Sequence, residues 1–269
     1  MYEGIVVIAG VPRSGTSWLG QIVDSSPEVA YRFQPFFSYA FKDAVQIDSL
    51  RHEYEEFFKG LYQSDDVFLL QTDKRQDGQY PVFRENPSPS CLAFKTCRYQ
   101  YLIPKMLGLF PNLVLIGIVR HPCGAINSWL KNPSEFPATA DQLAEWRFGA
   151  CKNLGRSEEF FGFYKWKEVA HLYLDLQQKY PDRVLVVHYD KLVENTWPVV
   201  NRIFSFAGLQ ISEQTRSFIA QCQSTHVETS YSVFRNRSVK DKWRTELAHS
   251  IRDEILFDLK GTRLEVFLD

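Results

Sequence analysis

The sequence predicts a three-layer α/β fold, with a central parallel sheet of about five strands and helices on both faces. Short apolar runs alternate with helix-length segments, as in strands joined by helical crossovers. The run Leu113-Val-Leu-Ile-Gly-Ile-Val119 is apolar throughout, as a strand covered on both faces must be. The first run, Ile5-Val-Val-Ile-Ala9, leads through a glycine-bracketed loop directly into a helix.

After the strand Ile5 to Ala9 and the loop Gly10 to Gly15, a helix opens at Thr16-Ser17 and runs to Asp24, where Ser25-Ser-Pro27 stops it. Val29 to Phe33 reads as the second strand, ended by Gln34-Pro35. Residues 36 to 63 carry Phe41, Val45, Tyr54, Phe58 and Leu61 at roughly helical spacing and are expected to be helical. Residues 71 to 90 are polar and proline-bearing, which predicts a long surface excursion of the kind that serves as a lid or binding loop.

Cys91 to Thr96 is the third strand, Tyr101 to Phe110 a helix, Leu113 to Val119 the central strand, and His121 to Leu130 the helix after it. Thr139-x-x-Gln142 has the form of a capping box and predicts the start of a helix carrying Trp146. Phe160 to Tyr180 is expected to be mostly helical, Arg183 to Tyr189 is the fifth strand, and three further helices close the chain. No repeat or flexible linker divides it, so a single domain over residues 1 to 269 is expected.

Composition narrows the partners. A net charge of −1 gives no global field that would recruit nucleic acid or an anionic membrane, so an anion site must be built locally. The apolar run at the N-terminus is too short to span a membrane and lacks the charged flank of a signal peptide. Five scattered cysteines without C-x-x-C spacing argue for free thiols in a reducing compartment and against a zinc cluster. A cytoplasmic protein is therefore expected.

The loop Gly10-Val-Pro-Arg-Ser-Gly15 is the first such local site. Glycines let the backbone come close to a ligand, and the N–H groups at the helix N-terminus face phosphate-like oxygens. Gly10 and Gly15 have the spacing of the nucleotide-hydrolase phosphate loop, G-x-x-x-x-G-K-[ST], but Thr16 stands in place of the lysine. A guanidinium, Arg13, sits inside the loop instead, where its fork could hold two oxygens of a transferred tetrahedral group.

The stretch Pro12-Arg-Ser-Gly-Thr-Ser-Trp-Leu19 resembles the 5′-phosphosulfate loop of the sulfotransferases that use 3′-phosphoadenosine-5′-phosphosulfate (PAPS). The resemblance implies a P-loop nucleotide-kinase-like fold and donor contacts from Arg13, Ser14, Gly15, Thr16, Ser17 and Trp18. Arg120 and Ser128, in Arg120-His-Pro-Cys-Gly-Ala-Ile-Asn-Ser128, match the family's 3′-phosphate motif of an arginine and a serine after an apolar strand. If the following helix starts at Pro122, Ser128 lies about 9 Å along it at about 1.5 Å per residue, within reach of one nucleotide held by both sites. Phe234 to Arg244 is similar, more loosely, to the basic segment that wraps the same phosphate, which makes Arg235 and Arg237 candidates. Trp146 is a candidate for stacking on adenine, although a tryptophan on an amphipathic helix more often packs in the core.

This resemblance implies transfer of a sulfuryl group from PAPS to a hydroxyl or amine of a small molecule, lipid or glycan, leaving adenosine 3′,5′-bisphosphate (PAP). No metal is required by that chemistry. The general base is not legible. Cys97 follows Lys95-Thr96 where cytosolic relatives carry histidine, and Gln34 stands near where others carry glutamate. His52, Glu53, Asp73 and Glu85 are the candidates left on plausible cleft loops. Two alternatives stay open, a P-loop phosphotransferase needing magnesium and ATP, and a catalytically impaired nucleotide-binding module. Acceptor and oligomeric state are not readable.

Overall fold

The computed structural model describes residues 2–224, 233 and 240–268. Five strands, β1 (Gly4–Ala9), β2 (Val29–Phe33), β3 (Cys91–Thr96), β4 (Leu113–Val119) and β5 (Val184–His188), form one parallel sheet in the order β2-β3-β1-β4-β5. The loop strand β1 therefore lies in the middle. Its last residue, Ala9, pairs with Thr96 on one side and Gly117 on the other, so the carboxyl ends of β3 and β4 flank the Gly10 to Gly15 loop.

Before β4 come the helices α1 (Thr16–Asp24), α2 (Arg51–Gln63), α3 (Val67–Leu70), α4 (Thr72–Gln76) and α5 (Ile103–Leu109). Between β4 and β5 lie α6 (Pro122–Leu130), α7 (Gln142–Glu145), α8 (Ala150–Asn153) and α9 (Phe163–Lys179). After β5 follow α10 (Tyr189–Glu194), α11 (Thr196–Ala207), α12 (Glu213–Ser224), α13 (Trp243–Glu246) and α14 (His249–Leu259).

Alternation along the strands builds the three layers, because successive side chains leave a sheet on opposite faces. Ile5, Val7 and Ala9 pack with Leu92, Phe94 and Leu115 beneath α2, α5, α6, α9 and α14. Val6 and Ile8 pack with Ala93, Ile116, Ile118 and Val187 beneath α1, α10, α11 and α12. Each face is a separate buried cluster, which explains why β1 and β4 are apolar at every position.

The strand expected at the sheet centre, β4, is instead the neighbour of β1, and it needs Gly117 because a β-carbon there would lie 2.6 Å from the ring of Tyr173 in α9. That tyrosine donates its hydroxyl hydrogen to Gln100 Oε1 at 2.6 Å, and Gln100 Nε2 donates to the Gly10 carbonyl at 3.3 Å. The helix layer thus holds the start of the loop through one buried chain of hydrogen bonds.

Several element expectations need correction. Residues 36–63 are not one helix. Pro35–Phe37 is a single 3₁₀ turn, Asp43 has φ 61, and α2 begins only at Arg51. Aromatic spacing there reflected packing by separate turns. The stretch from 71 to 90 opens with α4, whose Arg75 donates to Asp24 at 2.5 Å, and is irregular afterwards. The capping box at Thr139 does not form. Asp141 caps α7 instead, accepting from the Leu143 N–H at 2.9 Å. After β5 the described residues contain five α-helices rather than three, because α10 and α13 are too short to show a period.

Candidate active site

The backbone of the loop is shaped by two residues with positive φ, Arg13 at 71° and Gly15 at 90°. Glycine is required at position 15 twice over. Its φ is one that side chains rarely adopt, and a β-carbon would lie 2.4 Å from the Tyr189 ring. The first-turn N–H groups of α1 have no carbonyl within the helix to bond, so this end presents partial positive charge to the cleft lined by Gly15, Thr16, Ser17 and Trp18.

Arg13 and Arg120 lie together. Arg120 Nη1 donates to the Arg13 carbonyl at 3.2 Å, and Arg13 Nε donates to Ser128 Oγ at 3.2 Å. The Arg120 guanidinium rests 4.8 Å from the centroid of the Tyr189 ring, and its carbonyl accepts from Trp166 Nε1 at 3.0 Å. Beyond it, His121 stacks on Trp243 with centroids 4.3 Å apart and accepts the Cys123 N–H at Nδ1. Burial, then Arg244 and Arg120, depresses its pKa to about 4.

From the other side β3 contributes Lys95, fully buried, whose Nζ donates to Ser17 Oγ at 3.0 Å and Thr16 Oγ1 at 3.3 Å. Burial pushes the Lys95 ammonium below its ordinary range, with Cys97 and Glu135 opposing that and Arg13 adding to it. A third cation thus stands at the floor of the loop. Cys97 Sγ lies 3.2 Å from Thr16 Oγ1, and the Cys97 N–H donates to Gln34 Oε1 at 3.3 Å. The two positions at which the sequence departs from its resemblance therefore touch each other.

These groups open on one cleft of about 740 Å³, with Phe33, Phe37, Phe68, Phe136 and Phe161 among its walls. Two carboxylates line it among the described residues. Glu135 Oε2 lies 3.8 Å from Arg13 Nε, and Glu159 accepts from Arg98 with Arg156 3.9 Å away. A cleft of this size with convergent cations at one end is suited to an anionic ligand.

Of the residues singled out in the sequence, Arg13, Gly15, Thr16, Ser17, Trp18, Arg120 and Ser128 line this cleft, while Ser14 is buried behind the loop. His52, Glu53, Asp73 and Glu85 are not brought to it. His52 is exposed on α2, Glu53 accepts the Leu50 N–H at the start of that helix, and Asp73 and Glu85 face solvent. Trp146 is in the core against Phe163, so it is not an adenine platform. The tryptophan that lines the cleft is Trp18, edge-on to Tyr189. Arg235 and Arg237 lie outside the described residues.

Sequence reasoning missed Glu135 and Glu159, and passed lightly over Lys95. The one signal for Glu135 was its place seven residues beyond Ser128, in the proline-bracketed stretch Pro133-Ser-Glu-Phe-Pro137.

A parallel α/β sheet with a glycine-bracketed loop at the carboxyl end of its middle strand puts the fold in the P-loop-like class. The chain belongs to the sulfotransferase family, whose sequence profile matches residues 6–213. Solved structures agree in fold. Mouse sulfotransferase SULT7A1 in complex with PAP is 15% identical, with 100% of this chain and 89% of that one covered and a TM-score of 0.55. The sulfotransferase domain of the Synechococcus PCC 7002 olefin synthase is 16% identical, with 92% and 90% covered and a TM-score of 0.54. Retinol dehydratase in complex with androsterone and inactive cofactor PAP is 13% identical, with 98% and 83% covered and a TM-score of 0.56. No curated protein sequence matches the chain significantly. Among the described residues no helix is long and apolar enough to cross a membrane.

Proposed function

We propose that the chain is a single catalytic domain transferring the sulfuryl group of PAPS to an acceptor hydroxyl or amine without a metal. The observation that carries this is the adjacency of Arg13 and Arg120 in one cleft, bridged by the Arg13 carbonyl and joined to Ser128. One guanidinium for the 5′ end and one for the 3′-phosphate suit a ligand with two anionic ends. The PAP bound in SULT7A1 and in retinol dehydratase supports the same reading. Five unbonded cysteines favour a reducing, cytoplasmic setting.

In this reading the acceptor oxygen attacks sulfur in line. The new O–S bond forms as the bond from sulfur to the bridging phosphate oxygen breaks, and that oxygen keeps the electron pair. Arg13, Lys95 and the first-turn N–H groups of α1 offset the charge that builds there, the largest catalytic contribution expected of such a site. Glu135 takes the acceptor's proton. It lines the cleft in an ion pair with Arg13, the group proposed to act on the bridging oxygen, whereas Glu159 is paired with Arg98 and Arg156 away from the loop.

The test is ligand stabilisation. PAP at about a hundred times its dissociation constant should add roughly 2.7 kcal/mol and raise the melting temperature by several degrees without magnesium. ATP with magnesium should do far less. The reverse order would make the protein a phosphotransferase, and stabilisation by PAP without transfer to any acceptor would make it a binding module.

A further inference from the structure

We infer that the acceptor carries an anionic group of its own, a carboxylate, sulfate or phosphate, on an apolar or aromatic body. This rests on the sulfotransferase reading above and deepens it. Among the described residues seven lysine and arginine side chains line the cleft, against the carboxylates Glu135 and Glu159. Arg13 and Arg120 stand at the ends of β1 and β4, with Lys95 beneath the loop, and these three serve the donor. The other four line the rest of the wall: Lys74 at the Phe33 ring, where Lys95 also lies at 4.5 Å, Arg98 just beyond β3, and Lys152 and Arg156 in the segment from 151 to 161.

Their setting explains what they would read. Lys74 lies over the Phe33 ring at 5.4 Å and the Tyr80 ring at 5.0 Å, and Lys152 over the Phe161 ring at 5.7 Å. Arg98 lies over Phe37 at 4.9 Å and is bonded to Glu159, which also has Arg156 at 3.9 Å. Among the described lining residues Glu159 is the carboxylate beside these four cations, and it offsets one of their charges. Burial and the neighbouring Lys95 push the Lys74 ammonium below its ordinary range, a strain that a bound anion would relieve. Phe37 and Leu154, 54% and 61% exposed, line the same cleft. Apolar surface rimmed by cations suits an anionic amphiphile better than a neutral one, and better than an amine, which these cations would repel.

The experiment compares transfer from PAPS to four 4-hydroxyphenyl compounds that share a three-carbon chain ending in carboxylate, sulfonate, phosphonate or methyl ester. The phenol is constant, so differences report the terminus. At least one acid should exceed the ester about tenfold in kcat/KM, and the best acid names the group. In a Lys74→Met/Lys152→Met variant this ratio should fall severalfold, mainly through KM, while PAP still raises the melting temperature. The inference is overturned if the ester matches or exceeds every acid, if none of the four is sulfated while PAP still stabilises the protein, or if the ratio survives in the variant. Failure of PAP to stabilise the wild-type protein would instead overturn the sulfotransferase reading, and the inference with it.

Discussion

Arg13 Nε donates to Ser128 Oγ at 3.2 Å, a contact between residues 115 positions apart in the chain. One belongs to the loop after β1 and the other to the helix after β4. These strands are neighbours in the sheet, so the crossover that brings α6 back over the sheet also brings its serine to the loop arginine. The group proposed to sense the 3′ side of a donor is thereby linked to the group proposed to act at its 5′ side.

Removing the two arginines should give different kinetic signatures. Arg13→Ala is expected to lower kcat by about 100- to 1000-fold, as loss of a donor to developing charge does elsewhere. Arg120→Ala should chiefly weaken PAP binding, by about 10- to 100-fold for a charged hydrogen bond worth roughly 1.5–3 kcal/mol. Titration calorimetry alongside steady-state kinetics separates them. Equal, small effects of both would refute the two-ended site.

Glu135→Gln should lower kcat by about 100-fold or more and leave PAP affinity nearly unchanged, because glutamine keeps the shape but cannot take a proton. Single-turnover rates with saturating PAPS check this. A variant within a few-fold of the wild-type rate would assign proton transfer to another group.

Gly15→Ala should destabilise the fold by at least about 2 kcal/mol, since alanine meets both an unfavourable φ and the Tyr189 ring. Urea denaturation measures this. Pairing the change with Tyr189→Ala should recover only the part due to the ring, leaving the backbone strain.

His121 makes stability depend on pH in a known direction. It is held neutral in the folded chain with its pKa depressed to about 4, against 6.5 when unperturbed. The unfolded chain binds the extra proton first as pH falls. The contribution is therefore complete above pH 6.5 and is lost on descending toward 4. Stability at pH 5 should be about 2 kcal/mol below that at pH 7.5 from this residue alone. His121→Asn, which retains an acceptor for the Cys123 N–H, should flatten that part of the profile in urea titrations at the two pH values.

Strands and the anion loop were legible because their signals are local. Leu113 to Val119 was bounded to the residue, since a strand covered on both faces is apolar at each position and stops where polarity returns, and Cys91 to Thr96 was bounded as well although it closes on Lys95 and Thr96. Short helices such as α10 and α13 were not, because one turn shows no period. The base candidates His52, Glu53, Asp73 and Glu85 were chosen for chemistry on plausible loops, and nothing in the sequence says which loops fold over the sheet.

By itself the sequence determined the layered α/β architecture, the loop with its Arg13, and the Arg120 and Ser128 pair, because each is written in contiguous residues whose backbone preferences act over a few positions. Only the tertiary structure decided that Glu135 and Lys95 stand beside Arg13, that Trp18 rather than Trp146 faces the cleft, and that seven lysines and arginines among the described residues line it. Those neighbours come from crossovers and packing between segments distant in the chain, and such long-range contacts leave no periodic trace in it.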